Sequence, residues 1–332
     1  MKLLKQESAI QSLKDNKYHK LIIGASLKDL ESIEFYAYCF THAGADVIDI
    51  SAFAHSVIAA KKGIEKALTE NPKLNKPEIM LSVNISQDPH FRIVKLDKES
   101  CTECEVCIPA CPSEAFFLSP EFTYNPDLCF GCSNCLDYCP VDALSFENWN
   151  PYNPDELNRL LKMGARSFEI HLSKDFEAFR EFYRAVNLEN VLIESFSIGS
   201  ELLSKEELIQ AKEIILEEVY QRPGAEERIV IIQTDGIPQS GARIKNQEKD
   251  LKAIENAKIL IDSFDGEIPN NLFIQIAGGI NDESLSKAHR LRVPVNGVAI
   301  GSWIRNKIID LDPDTAKDLS KEILKKSKHQ AC

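Results

Sequence analysis

RIVIIQTDG (228–236), LKAIENAKILIDSF (251–264) and LFIQIAGG (272–279) read as an apolar run, an amphipathic segment and a second apolar run. A near-continuous apolar run is a strand buried on both faces, and parallel neighbours need a crossover helix between them. Working outward, the unit recurs. LIIGAS (21–26), DVIDIS (46–51), EIMLSVN (78–84), SFEIHLS (167–173), NVLIES (190–195) and GVAIGSW (297–303) complete a set of eight candidate strands. Helical stretches such as LKDLESIEFYAYCFTHAG (27–44), HSVIAAKKGIEKALTEN (55–71), PDELNRLLKMG (154–164) and KEELIQAKEIILEEVYQ (205–221) lie between them. Eight units predict an α/β fold, a (β/α)8 TIM-like barrel. The alternative is a doubly wound open sheet. A length of 332 residues fits two ordinary domains or one such barrel.

The alternation breaks once. Between strands three and four stand Cys101-x2-Cys104-x2-Cys107-x3-Cys111-Pro112 and Cys129-x2-Cys132-x2-Cys135-x3-Cys139-Pro140. Each half is the bacterial ferredoxin run for a [4Fe–4S] cluster, and the two lie 28 residues apart. Asp97 and Asn125 precede the first cysteine of each half by four residues, and Ala115 and Ala143 follow the fourth by four. Short strand-like pieces, RIVKLD, AFFLS, FTYNP and ALSFE, flank the halves, as an internal duplication requires. In two-cluster ferredoxins the fourth ligand comes from the other half. Cys101, Cys104, Cys107 and Cys139 are therefore assigned to one cluster, and Cys129, Cys132, Cys135 and Cys111 to the other. Structural zinc, the competing reading, uses pairs of C-x2-4-C rather than complete four-cysteine runs. The expected organisation is a first part of the barrel at 1–89, an inserted 2[4Fe–4S] ferredoxin-like domain at 90–150, and the rest of the barrel with a closing helix at 151–332.

The net charge of −12 argues against a nucleic-acid backbone as the main ligand, because phosphates need Lys/Arg counter-charge. No apolar run reaches the ~18–20 residues of a membrane helix, and no secretion signal or transit peptide is legible at the N-terminus. The expected location is the cytoplasm, where reduced thiols serve metal or redox chemistry rather than disulfides. Cys39 reads as a packing residue in a helix, and Cys332 as incidental. Residues 90–150 carry three Lys/Arg and ten Asp/Glu, a net of −7, which suits an electrostatic docking face for a redox partner.

Barrel active sites gather at the C-terminal ends of the strands. Asp49, Asn84, His171, Glu194, Gln233, Asp235 and Gln275 stand near such ends and are expected to ring a polar mouth. The seventh strand ends AGGIND (277–282) and the eighth AIGSWI (299–304). Gly278, Gly279, Gly301 and Ser302 are the candidate residues for FMN or another phosphate-containing ligand, since glycines let backbone N–H groups approach an anion at a helix start. DGIPQSG (235–241) reads as a ligand lid, and Arg305 follows closely enough to add charge.

AGADVIDISA (43–52), SQDPHFR (86–92), the two-cluster insert and QTDGIPQSG (233–241) together resemble the cyanobacterial light-dependent period protein family. The resemblance implies an iron–sulfur redox sensor that passes the state of photosynthetic electron transport to the circadian clock. It also implies clock-input proteins as partners, beside a redox donor or acceptor protein or a quinone. Catalytic residues are not legible. The alternative function is a barrel oxidoreductase that uses the clusters as an electron wire to a bound flavin.

Overall fold

A computed structural model describes residues 9–85, 88, 91–129, 131, 134–147, 152–172, 174–198, 203–236, 250–266 and 268–329. Its core is a closed barrel of eight parallel strands: β1 (Tyr18–Gly24), β2 (Val47–Ser51), β3 (Glu78–Asn84), β8 (Ser167–His171), β9 (Ile193–Ile198), β10 (Ile229–Asp235), β11 (Leu272–Ala277) and β12 (Gly297–Ile300). Each strand pairs with its predecessor, and β12 closes onto β1 in the register Tyr18↔Gly297 and Lys20↔Ala299. The open-sheet alternative is thereby excluded.

Helices α1 (Leu30–Ala43), α2 (Ala54–Glu70), α3 (Pro154–Lys162), α4 (Phe176–Ala185), α5 (Lys205–Tyr220), α6 (Leu251–Asp262), α7 (Ser284–Arg290), α8 (Ser302–Ile308) and α9 (Pro313–His329) cover the outside. Local sequence sets their ends. The Asp29 carboxylate accepts from Ser32 N–H at 2.8 Å to start α1, and Gly44, at φ 80°, ends it. Ser204 and Glu207 form a reciprocal capping box on α5. Gly63 lets α2 approach α1, since a Cβ there would lie 2.2 Å from the Glu34 carbonyl oxygen.

Inside the barrel, alternate residues point to the axis. Tyr18, Val47, Met80, Ile193, Ile231 and Phe273 form an apolar floor. Polar side chains fill the layers above it. The larger apolar core lies between sheet and helices and includes Leu21, Ile48, Leu81, Phe168, Phe196, Ile232 and Ile276.

The insert leaves after β3 and returns beside it, where Tyr152 N–H donates to the Asn84 carbonyl at 2.9 Å. Its strands are β4 (Ile93–Leu96), β5 (Phe116–Leu118), β6 (Phe122–Tyr124) and β7 (Leu144–Glu147). β4 pairs antiparallel with β7, and β5 with β6. The residues repeated in sequence do repeated work. Asp97 N–H donates to Ala143 O at 2.9 Å, and Asn125 N–H to Ala115 O at 2.8 Å. The same two side chains accept from Glu99 N and Asp127 N, each at 3.0 Å. Two copies of one loop therefore cross and share a small core of Ile93, Val94, Ala115, Phe116, Leu144 and buried cysteines.

Candidate metal centre

Crossing brings Cys139 of the second half to the loop of the first. Cys101, Cys104, Cys107 and Cys139 line one cavity, with Leu96, Val106, Phe122, Val141 and Leu144 as its apolar wall. Left-handed backbone at Glu103 (φ 53°) and Glu105 (φ 63°) curls the loop round this space. Glu103 N–H points at Cys101 Sγ from 3.4 Å, and Ala143 N–H at Cys139 Sγ from 3.3 Å. Burial, and then the Cys101, Cys104 and Cys139 sulfurs, push the Cys107 thiol up to about 11. Four such thiolates need a cationic core to ionise together, and the iron of a cluster supplies one. The donor set therefore fits a [4Fe–4S] group.

The second set lies deeper. Cys129 and Cys135 are buried, and Cys111 is half-buried. Val94 N–H and Gly131 N–H approach Cys129 Sγ at 3.4 and 3.5 Å, and Ala115 N–H approaches Cys111 Sγ at 3.3 Å. Burial, followed by the Cys129, Cys135 and Cys111 sulfurs, holds the Tyr124 hydroxyl well above its usual range. Cys132 lies outside the described residues. Gly131, at φ 66°, sits where a Cβ would be 2.2 Å from the Arg92 carbonyl oxygen, and Lys28 on the barrel reaches Asp127 at 3.7 Å. The loop that carries Cys129 thus touches the barrel at Asp127.

Cys39 is fully buried in α1, and burial pushes its thiol up to about 12. Cys332 lies outside the described residues.

The barrel interior holds a connected polar network. Lys20, fully buried on β1, pairs with Glu169 on β8 and lies 3.7 Å from Asp49 on β2. Ser82 donates to Asp49 at 2.6 Å and Ser195 to Glu169 at 2.7 Å. Gln233 Nε2 reaches Glu169 at 3.2 Å and Asp235 at 3.3 Å, and Ser197 donates to Asp235. His171 stands between Asp88 at 3.5 Å and Glu169 at 3.3 Å, with the Phe91 ring edge-on at 5.0 Å. Burial pushes the Asp49 carboxyl up to about 6, with Lys20 opposing and Glu169 adding to the rise. Burial would also raise Glu169, but Lys20 and His171 overcome it and hold that carboxyl well below its usual range. For His171, Asp88 and Glu169 overcome the cost of burial and keep the imidazole charged well above its usual range.

Six of the seven expected mouth residues, Asp49, Asn84, His171, Gln233, Asp235 and Gln275, belong to strand positions that face inward. Glu194 does not. β9 spans Ile193–Ile198 rather than the 190–195 read from sequence, so Glu194 is its second residue, on the outward face. There Glu194 accepts from Tyr183 on α4 and from Arg228. Sequence reasoning missed Lys20, Ser82, Glu169, Ser195 and Ser197. The signal was available for Glu169, which precedes His171 by two on the same strand face; Lys20 stands just before the run LIIGAS.

β11 and β12 are neighbours, so the AGGIND and AIGSWI loops leave the barrel side by side. Gly278 and Gly279 are left-handed (φ 75° and 77°). A Cβ on Gly278 would meet Gly236 N at 2.6 Å, and one on Gly301 would meet Ile22 at 3.3 Å. These two glycines thus serve close packing on β10 and β1, and Ser302 begins α8. Arg305 reaches back toward Gly24. Residues 237–241 of the expected lid, and Ser86, Gln87, Pro89 and His90 of the SQDPHFR stretch, lie outside the described residues.

The light dependent period A C-terminal domain matches residues 159–330. The chain belongs to the light dependent period A family. Two 4Fe-4S binding domains match residues 94–117 and 122–145, one on each cysteine loop. Light dependent period A of Synechococcus elongatus is 31% identical over 108 residues, a match that spans 32% of this chain and 30% of that relative. Among solved structures, tryptophan synthase from M. tuberculosis in an aminoacrylate- and BRD0059-bound form aligns with a TM-score of 0.50 at 9% identity, over 96% of each chain. A ligand-free mutant form of it aligns with the same TM-score at 10% identity, over 97% of this chain and 98% of that one. That likeness is one of fold: a parallel eight-stranded barrel wrapped in helices. No helix among the described residues is long and apolar enough to cross a membrane.

Proposed function

We propose that this chain is a cytoplasmic one-electron carrier or redox sensor that holds two [4Fe–4S] clusters by crossed ligation. Cys101, Cys104, Cys107 and Cys139 hold one, and Cys129, Cys132, Cys135 and Cys111 the other. The observation that carries the reading is Cys139 lining the same cavity as the Cys101 loop, 32 residues after the nearest of its partners in sequence. Bound clusters supply one-electron reduction and oxidation. The chain's own part is to aim backbone N–H groups at the sulfurs, wall them with apolar side chains and hold two loops in register. Family membership supports a role in reporting photosynthetic redox state to the circadian clock, with clock-input proteins and a redox protein or quinone as partners.

Anaerobic purification followed by iron, sulfide and flavin analysis tests this. About eight irons and eight sulfides per chain are expected from two four-iron clusters. About two irons without sulfide would replace the reading with mononuclear sites. In cells, full rescue of the light dependence of the clock period by a Cys104→Ser chain would remove the reporting role.

The polar barrel interior favours one second reading, an oxidoreductase with FMN or a phosphate-containing ligand at Gly278, Gly279, Gly301 and Ser302. Flavin present in stoichiometric amount beside the clusters would support it.

A further inference from the structure

The two cysteine sets are not equivalent in exposure. Cys129 and Cys135 are buried within the insert, where Val94 N–H approaches Cys129 and Gly131 packs on Arg92, and the barrel's Lys28 reaches Asp127, two residues before Cys129. The Cys101 set lies on the outside, with Cys104 exposed and Cys101 and Cys139 half-buried. Its cavity wall includes Val106 and Val141, each 39% exposed. Four of the eight exposed large hydrophobic residues among those described, Val106, Leu118, Tyr138 and Val141, belong to this small insert.

Charge surrounds that apolar centre. Glu103 and Glu105 flank Cys104, Asp142 follows Val141, and Glu99 precedes Cys101 by two; all are exposed. Lys98 is the one cation in the same loop. An apolar centre with a charged rim is the anatomy of a transient interface, and single-sign rim charge steers a partner of opposite sign.

We propose that Val106 and Val141, rimmed by Glu103, Glu105 and Asp142, form the docking port for a lysine-rich one-electron carrier protein. This rests on the cluster reading above and adds which set faces the partner. A carrier docked there would lie against the Cys104 edge, and the exchange would be one electron with no bond made or broken. The Cys129 set would then be the inner station, next to the barrel.

The test uses the full, anaerobically purified chain and a lysine-rich cytochrome c as the probe. Binding is measured by calorimetric titration at several salt concentrations. Wild type should bind, more weakly as salt rises. Glu103→Gln/Glu105→Gln/Asp142→Asn should weaken binding by about tenfold at low salt and flatten the salt dependence. A control with the same change in charge, Glu189→Gln/Glu226→Gln/Asp265→Asn, sits in the loops before β9, β10 and β11, at the opposite end of the barrel. It should bind as wild type does. If the triple variant misfolds, Glu103→Gln alone should show a smaller loss in the same direction. No binding by wild type, or equal loss in both triples, overturns the port. Iron and sulfide are measured on every sample. Selective loss of binding in protein without sulfide would keep the port and overturn the cluster reading instead.

Discussion

Tyr152 N–H donates to the carbonyl oxygen of Asn84 at 2.9 Å, so the chain re-enters the barrel where it left it. The cysteine loops hang from a closed gate of backbone and need not contribute to closing the sheet. Replacing residues 93–147 by a short Gly/Ser linker costs little in loop entropy when the ends already meet. The shortened chain should be soluble, bind no iron and unfold in one cooperative thermal transition. An insoluble or molten product would mean that the small core of Ile93, Phe116 and Leu144 supports the barrel.

Cys104→Ser should damage one proposed cluster and leave much of the other, since Cys104 shares its cavity with Cys101, Cys107 and Cys139 and not with Cys111, Cys129 or Cys135. Iron should fall by about half, from the two-cluster content. Cys39→Ser should leave iron unchanged, because its sulfur lies inside α1 and far from either loop in the fold's core. Equal iron loss from both variants would point to a general effect on folding rather than ligation.

Lys20 is the ammonium beside Asp49 and Glu169, two carboxylates buried inside the barrel. Lys20→Met leaves Asp49 without its cation and Glu169 with His171 alone, and removing one partner of a buried pair costs roughly 3–5 kcal/mol. Adding Glu169→Gln should recover part of that loss, because the uncompensated charge goes with it. Denaturant melts of the two single variants and the double variant measure the coupling. Additive losses would show that the pair acts as two independent packing residues.

The sequence is most legible where chemistry fixes spacing. Thiolate loops must wrap a cube, so the cysteine pattern exposed the insert and its duplication, and the matching hydrogen bonds of Asp97 and Asn125 explain why those residues repeat. The barrel was legible because parallel strands buried on both faces must be apolar throughout. That same property hides the strand boundaries: in NVLIESFSI nothing marks where pairing begins, so the apolar run starts three residues before β9 and puts Glu194 at the wrong end of the strand. The inward polar layer was half legible. Residues near strand ends stand out, while Glu169, one layer deeper, sits between Phe168 and Ile170, and Lys20 stands just before the run LIIGAS. Their identity as partners comes only from closing β1 and β8 round one axis.

His19 links pH to the seat of the last helix. It points outward from β1, fully buried, with Nε2 2.7 Å from Ser327 Oγ on α9 and Nδ1 2.8 Å from the Lys17 carbonyl oxygen. Burial first, and the nearby Lys328 second, push its pKa down to about 3. The unfolded chain, titrating near 6.5, therefore binds a proton that the folded chain refuses between those values. Stability from this site is fully present above about pH 6.5 and is lost as pH falls toward 3, amounting to about 2 kcal/mol at pH 5 by linkage. His19→Gln should be less stable than wild type at pH 8 and lose less on acidification, so the two stability curves converge between pH 7 and pH 5. Hydrogen exchange should place the wild-type change in α9, because Ser327 loses its partner when the ring is protonated and expelled. Parallel stability curves for wild type and variant, or exchange that rises evenly over the barrel, would remove His19 as the cause.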